Sequence, residues 1–217
     1  MKTDSNLQSD VLAELKWWPG VDEAHIGVTA KGGVVTLSGH VAHYAEKVAA
    51  EDAAKGVYGV SGLANEIQVE MPGTHKRNDA DIAETALNAL KWNYAVPADK
   101  VKVIVKNGWV TLEGNVDWQY QKDAAGTAVR SLLGVSMVSN NLGIKPVLPF
   151  IDVQGKIEAA FRRNADLDAR RIQVASTAGH VTLTGTVSTW AEKDAAVWAA
   201  WSAPGVNQVT SELAIVP

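Results

Sequence analysis

One nine-residue pattern occurs three times in this chain and constrains its fold more than any other feature. Two glycines lie six residues apart, with apolar residues alternating between them, in Gly33–Val41, Gly108–Val116 and Gly179–Val187. Alternating apolar residues bounded by glycines predict an amphipathic β-strand between a turn and a second break. The copies are offset by 75 and 71 residues, which is enough chain for each to hold its own core. The repeat therefore predicts three small domains.

Local patterns around the repeated strand predict the other elements of copy 1. Leu7, Val11 and Leu15 have helical spacing and predict a helix from Ser5 to Trp17, with a capping box that begins at Ser5. A strand near residues 25–30, the repeated strand, an alanine-rich helix at 43–55 and a last strand at 60–69 follow.

This order predicts an α+β fold of three tandem αββαβ domains, each a mixed three-stranded sheet with two helices on one face. The short turn at Gly32 and Gly33 makes the first two strands an antiparallel hairpin. The helical crossover places the last strand parallel to the repeated strand.

The other two copies repeat this pattern without a gap, which predicts domains at 5–71, 80–145 and 152–217. Residues 72–80 form a polar linker. Residues 145–151 form an apolar linker with two prolines that restrict the chain. We therefore expect copies 2 and 3 to be held more rigidly than copies 1 and 2.

Charge and composition exclude some classes of function. The net charge is only −4, and residues 1–71 carry 5 Lys and Arg against 10 Asp and Glu. Nucleic-acid binding needs a strong basic excess, so we do not expect it. The chain has no cysteine, which excludes disulfides, a thiol nucleophile and a cysteine metal site. No leader or membrane-spanning run is present, so the sequence as written predicts a cytoplasmic protein, with a periplasmic location as the alternative if a leader is missing.

The glycine pattern, the alanine-rich helix and a following Gly-Val pair resemble the BON domain, the bacterial "OsmY and nodulation" module. The Gly-Val pairs begin at Gly59, Gly134 and Gly205, so the resemblance covers nearly the whole chain in three copies. It implies a non-enzymatic protein, often described as transport-associated and linked to phospholipid membranes, envelope integrity, stress response or chaperoning. Most members carry an export signal or lipoprotein leader, and this sequence shows none.

No set of residues predicts a reaction centre. His40 and His43 are replaced in both other copies, and Glu46 is replaced in copy 2, so we expect no metal site, and no feature calls for a cofactor. No serine, acid and histidine set recurs, so no catalytic residue is assigned. The motif glycines lack the Lys-Ser/Thr of a phosphate loop and are expected to serve turns and close packing. They are Gly33, Gly39, Gly108, Gly114, Gly179 and Gly185.

Three tryptophans are candidates for a contact surface. Trp198 and Trp201 lie three residues apart on the last helix, where the other copies have polar residues. They predict contact with another subunit, another copy or a membrane interface, and packing within the chain is an equal alternative. Trp109 points outward from the repeated strand of copy 2, on a sheet face that nothing in the sequence covers.

Basic residues near two equivalent turns are candidates for binding anionic headgroups. They are Arg162, Arg163, Arg170 and Arg171 in copy 3, and Lys100 and Lys102 in copy 2. A solvated charged face is the alternative, since Asp166 and Asp168 interrupt the cluster.

Three hypotheses of function follow. The first is a non-catalytic protein that binds anionic phospholipid at a membrane surface or self-associates through its BON domains. The second is an ATP-independent holdase chaperone that covers unfolded client proteins. The third is a homo-oligomeric pore or transport assembly. An enzyme is the class that the sequence supports least.

Overall fold

The computed structural model describes residues 2–73, 77–145, 152–164 and 167–216. Within these residues the chain forms six helices and ten strands, arranged as three copies of one αββαβ unit. The predicted α+β class, with three tandem domains, is confirmed.

The elements have the following bounds. Copy 1 contains α1 (Asp4–Trp17), β1 (Ile26–Lys31), β2 (Val34–Val41), α2 (Tyr44–Gly56), β3 (Gly62–Asn65) and β4 (Gln68–Val69). Copy 2 contains α3 (Asp79–Trp92), β5 (Val101–Lys106), β6 (Trp109–Val116), α4 (Gln119–Arg130) and β7 (Met137–Ile144). Copy 3 contains α5 (Val153–Arg163), β8 (Ile172–Thr177), β9 (His180–Val187), α6 (Trp190–Trp201) and β10 (Gln208–Ile215).

The repeated strand lies at the centre of each sheet. β2, β6 and β9 pair antiparallel with the strand before them and parallel with the strand after the second helix. Both predicted pairings are confirmed. The last strand of copy 1 differs from its prediction, because it is split into β3 and β4. At the break the Ile67 backbone N–H donates to Asn65 Oδ1 at 3.2 Å and the Ile67 side chain is buried.

The first helix of copy 1 begins one residue earlier than predicted. Its N-cap is Thr3, whose side chain accepts a hydrogen bond from the Asn6 backbone N–H at 3.3 Å. The predicted capping box at Ser5 is therefore wrong, because Thr3 already satisfies a free N–H of the first turn. Asn78 and Asp152 cap α3 and α5 in the same way.

Three separate hydrophobic cores hold the copies. In copy 1 the apolar stripe of α1 and the inward residues of β2 are fully buried, together with the alanines of α2. Copies 2 and 3 bury the equivalent positions, with Phe161 replacing Leu15 and Leu90 in copy 3. Residues 146–151, on which the expected rigidity between copies 2 and 3 depends, lie outside the described residues.

The second glycine of the motif allows a close approach of two chain segments. All six motif glycines have positive φ, and Gly39 has φ +114°. A Cβ at Gly39 would overlap the carbonyl oxygen of His25, and Gly114 and Gly185 meet the equivalent carbonyls of Lys100 and Arg171. Only glycine tolerates both this backbone conformation and this contact.

We expect Gly39→Ala to lower the free energy of unfolding of copy 1 by at least about 2 kcal/mol, because it adds backbone strain and an overlap. Gly56→Ala is the matched control, since Gly56 ends α2 and its added Cβ would meet nothing within 4 Å. That control should change stability by less than about 1 kcal/mol. Urea unfolding followed by circular dichroism measures both, and equal effects would contradict the proposed role of Gly39.

Candidate functional site

The described residues contain no group of three or more His, Asp or Glu placed to hold a metal ion. They also contain no fully buried polar or charged residue. His40 packs on His25, with ring centroids 4.9 Å apart. The candidate functional features are therefore surfaces, namely the junctions between copies and the exposed aromatic side chains.

The start of the second helix of each copy packs against the next copy. Tyr44, the first residue of α2, packs against the core of copy 2, in a groove with Gly126 and Arg130 of α4. Trp190, the first residue of α6, packs against the core of copy 1. The start of α4 meets the end of α6, where Trp118 and Trp201 line one cleft.

These contacts close a ring. Copy 1 contacts copy 2, copy 2 contacts copy 3, and copy 3 returns to copy 1, each time through the start of a second helix. A head-to-tail contact that closes after three steps generates a ring with approximate threefold symmetry. Equivalent residues of the three copies then lie at similar heights along the ring axis.

Charged side chains also meet across the junctions. Lys55 Nζ lies 2.8 Å from Glu51 Oε1 and 3.9 Å from Asp52 Oδ1 within copy 1. Asp52 interacts with Arg130 of copy 2 and Asp194 of copy 3. Burial raises the pKa of the Asp52 carboxyl, and its positive neighbours oppose that shift. The polar residues Asp52 and Lys55 of α2 therefore border two other copies, with the Asp52 side chain still 55% exposed.

Trp198 and Trp201 lie at the junction between copies 2 and 3. Together with Trp118 and Tyr120 they line a cleft. Trp201 is half-buried and packs against the core of its own copy, whereas Trp198 is 62% exposed. The pair therefore combines packing within the chain with an exposed aromatic surface.

Trp109 lies on the outer face of the copy 2 sheet, away from the helices. Its side chain is 46% exposed, and its Nε1 donates to Ser139 Oγ on the adjacent strand at 3.0 Å. Ile104 and Met137 are exposed in the same sheet. The structure therefore places Trp109 apart from Trp198 and Trp201.

Several of the candidate basic residues are paired within the chain. Arg170 Nε donates to Asp168 Oδ1 at 3.0 Å, and this hydrogen bond lowers the pKa of the Asp168 carboxyl. Arg171 Nη1 donates to Ser188 Oγ at 3.2 Å, and Lys100 Nζ lies 2.9 Å from Asp117 Oδ2.

The remaining candidate basic residues are exposed. Lys102 is exposed on β5. Arg162 and Arg163 occupy the exposed C-terminal end of α5, with Arg162 Nη2 3.7 Å from Glu158 Oε2. The structure therefore brings the four arginines of copy 3 to one end of that copy. The two lysines lie on copy 2.

The most exposed aromatic residues were missed by the sequence-based predictions. Trp17 is 82% exposed at the end of α1, Trp92 is 89% exposed at the end of α3, and Tyr94 is fully exposed just after it. Trp17 and Trp92 are equivalent positions, and each follows a lysine. The equivalent residues of copy 3 are Arg162 and Arg163.

A sequence signal for these tryptophans exists. Trp17 and Trp92 each follow the last buried leucine of their helix by two residues, which places them about 200° around the helix from the apolar stripe. A large aromatic residue on the polar side of an amphipathic helix is expected to be exposed. The two helix ends, with Arg162 and Arg163 in copy 3, are called here the helix-end surface.

Comparison with known proteins identifies the repeated unit. The BON domain matches residues 3–71, 78–146 and 152–217. The chain belongs to the BON domain family. The resemblance inferred from the glycine pattern is thereby confirmed.

Part of the chain is also similar to two named bacterial proteins. The chain is 34% identical over 146 residues to the osmotically-inducible protein Y of Escherichia coli, covering 65% of this chain and 73% of that protein. It is 36% identical over 135 residues to a 21 kDa hemolysin of Actinobacillus pleuropneumoniae, covering 61% of this chain and 66% of that protein. A structural protein of the type III secretion system of Chlamydia trachomatis aligns with 98% of this chain and 93% of its own, at 14% identity and a TM-score of 0.27.

None of the helices within the described residues combines the length and apolar character needed to cross a membrane.

We expect Tyr44→Ala to increase amide hydrogen exchange in α4 and β7, which belong to the next copy, because the ring packs on that core. Trp190→Ala should increase exchange in copy 1 for the same reason. Tyr94→Ala, at a fully exposed ring, serves as the control and should change neither. Effects confined to the mutated copy would contradict the ring arrangement.

Glu51 is expected to make the stability of copy 1 depend on pH. Burial alone would raise its pKa, but hydrogen bonds from Lys55 and Asn65 lower the pKa below its ordinary value. The ionised form therefore stabilises the fold above the unfolded-state pKa, and this contribution is lost as pH falls through the folded-state pKa. Urea unfolding between pH 7 and pH 3 should show a smaller loss of stability in Glu51→Gln than in the wild type. The exposed Glu66→Gln is the charge-matched control, and identical pH profiles for both variants would argue against this role.

Proposed function

We propose that this protein is a non-catalytic, stress-related protein of the bacterial envelope that binds anionic phospholipid through its helix-end surface. The observation that carries the proposal is the exposure of Trp17 and Trp92, 82% and 89%, at equivalent positions of two copies. Two large aromatic side chains that are exposed to solvent at equivalent positions favour a role in binding another molecule or a membrane.

The chemistry of the helix-end surface suits a membrane interface. Indole rings are favoured at the level of lipid headgroups because they combine an apolar body with a polar N–H. Lys16 and Lys91 precede the two tryptophans, and copy 3 supplies Arg162 and Arg163 at the same positions. Each such charge contributes about 1 kcal/mol near an anionic surface.

The ring arrangement favours simultaneous contact. Because equivalent positions lie at similar heights along the ring axis, a flat membrane that is perpendicular to that axis and reaches one helix end also reaches the other two. Linked weak contacts increase affinity because the second and third contacts form within one molecule.

The two relatives agree with this proposal by their names alone. One is an osmotically-inducible protein and the other is a hemolysin. Both names fit a stress-related role at the envelope, which we extend to the present protein, with the periplasm as its compartment.

The local charge predicts an order among the copies. Residues 72–145 carry 9 Lys and Arg against 7 Asp and Glu, whereas residues 1–71 are strongly acidic. Binding to an anionic surface should therefore depend more on Trp92 than on Trp17.

We expect sedimentation with phosphatidylglycerol vesicles to show binding that weakens as salt rises, because the headgroup attraction is screened. Trp92→Ala should reduce the affinity about tenfold, since it removes part of the burial energy of one indole ring. Trp17→Ala should reduce it less, and the double variant should reduce it more than either.

The matched control is Trp109→Ala, an exposed tryptophan on the outer sheet face. It should leave vesicle binding unchanged. Binding lost in the control variant but kept in the helix-end variants would move the lipid surface to the sheet. No binding of the wild type at low salt would refute the lipid function.

A holdase function is the second candidate, and the outer sheet faces favour it. Val34, Ile104, Trp109 and Met137 are each more than 40% exposed on these faces. Such apolar surface can cover unfolded clients or a second copy of the chain. Suppressed aggregation of a thermally unfolded client without ATP, lost in Ile104→Ser with Trp109→Ser, would support it. Unchanged aggregation would remove it.

A further inference from the structure

The three junctions of the ring are not alike at their first residue. Tyr44, Gln119 and Trp190 are equivalent positions at the start of α2, α4 and α6. Tyr44 and Trp190 are half-buried rings that pack against the core of the next copy. Gln119 has no ring, and its Nε2 donates to Asp123 Oδ1 on its own helix at 2.8 Å.

The junction that lacks an aromatic side chain at this position contains a cleft. The volume of this cleft is about 500 Å³, within the range of small-ligand sites. We call it the aromatic cleft, and it is lined by Trp118, Gln119, Tyr120, Trp198, Trp201 and Ser202.

Both walls of the aromatic cleft are rings. Trp118 and Tyr120 form the copy 2 wall, with ring centroids 6.5 Å apart, and Trp198 and Trp201 form the copy 3 wall. Tyr120 is 52% exposed and Trp198 is 62% exposed, so much of each side chain remains accessible to a ligand. None of the six lining residues is charged.

The tryptophans of the copy 3 wall are specific to this junction. At their positions copy 1 has Asp52 and Lys55, and copy 2 has Thr127 and Arg130. The junction that has Gln119 in place of an aromatic residue is thus the one in which the opposing helix, α6, carries two tryptophans. Aromatic rings pack favourably on one another in offset or edge-to-face arrangements.

We propose that the aromatic cleft binds a tryptophan or tyrosine side chain presented by a partner polypeptide. The other two junctions supply the evidence for this occupant, since in each of them an aromatic side chain of the polypeptide packs against the core of the next copy. Gln119 and Ser202 add polar groups within reach of an indole N–H or a phenol O–H. This proposal does not depend on lipid binding, because the helix-end surface is formed by other residues.

The test is a two-dimensional NMR titration of the full chain with the peptide acetyl-Gly-Trp-Gly-amide, followed through the indole N–H signals. The expected result is saturable binding that shifts the signals of the cleft tryptophans. The same peptide with alanine in place of tryptophan should bind at least tenfold more weakly. Equal shifts with both peptides would overturn the proposal.

Two variants separate the site from the fold. Gln119→Trp introduces the ring that copy 3 already carries at this position, and it should abolish peptide binding while raising thermal stability. Trp198→Thr introduces the residue that copy 2 carries, and it should weaken binding at least tenfold. Tyr94→Ala, a fully exposed ring elsewhere, is the control and should bind as the wild type does.

A cation is the competing occupant, because aromatic cages also bind quaternary ammonium groups. Tetramethylammonium should not displace the tryptophan peptide. Displacement of the bound peptide by tetramethylammonium would contradict the assignment. So would peptide binding in Gln119→Trp that equals that of the wild type.

Discussion

The contact between the start of each second helix and the next copy determines which surfaces of this protein are available. Each copy has two helices on one face of its sheet, and the second helix uses part of its surface to reach a neighbour. Among the described residues, the candidate surfaces that remain exposed are the ends of the first helices, the outer sheet faces and the aromatic cleft. In a protein with independent domains, the start of each second helix would instead be exposed to solvent or covered from within its own domain.

The interior of each copy could be predicted from the sequence because the information is local. Helical spacing at Leu7, Val11 and Leu15 and the alternation after Gly33 depend only on neighbouring residues, and the structure buries these apolar positions. Other features depend on hydrogen bonds that no periodicity encodes. The Asn65 side chain accepts from the Ile67 N–H at the break in the last strand, and Thr3 replaces the predicted cap.

The surfaces were predictable only in part. Comparison between copies singled out Trp198 and Trp201, since aligned positions elsewhere are polar, but the opposite wall at Trp118 and Tyr120 depends on how the copies dock. Nothing in the spacing of Asp52 and Lys55 indicates a junction, yet the structure places charged residues of two other copies beside them. Long-range docking of this kind leaves no trace in hydrophobic spacing.

Closure after three steps also bears on how such chains can change in length. A contact that runs head to tail has one donor surface and one acceptor surface on every unit, and only a closed set satisfies all of them. A polypeptide with two such units would keep one unsatisfied donor surface and one unsatisfied acceptor surface. Loss of a single unit from this chain would thus open the ring and expose both surfaces, which changes what the chain can associate with and not merely its size.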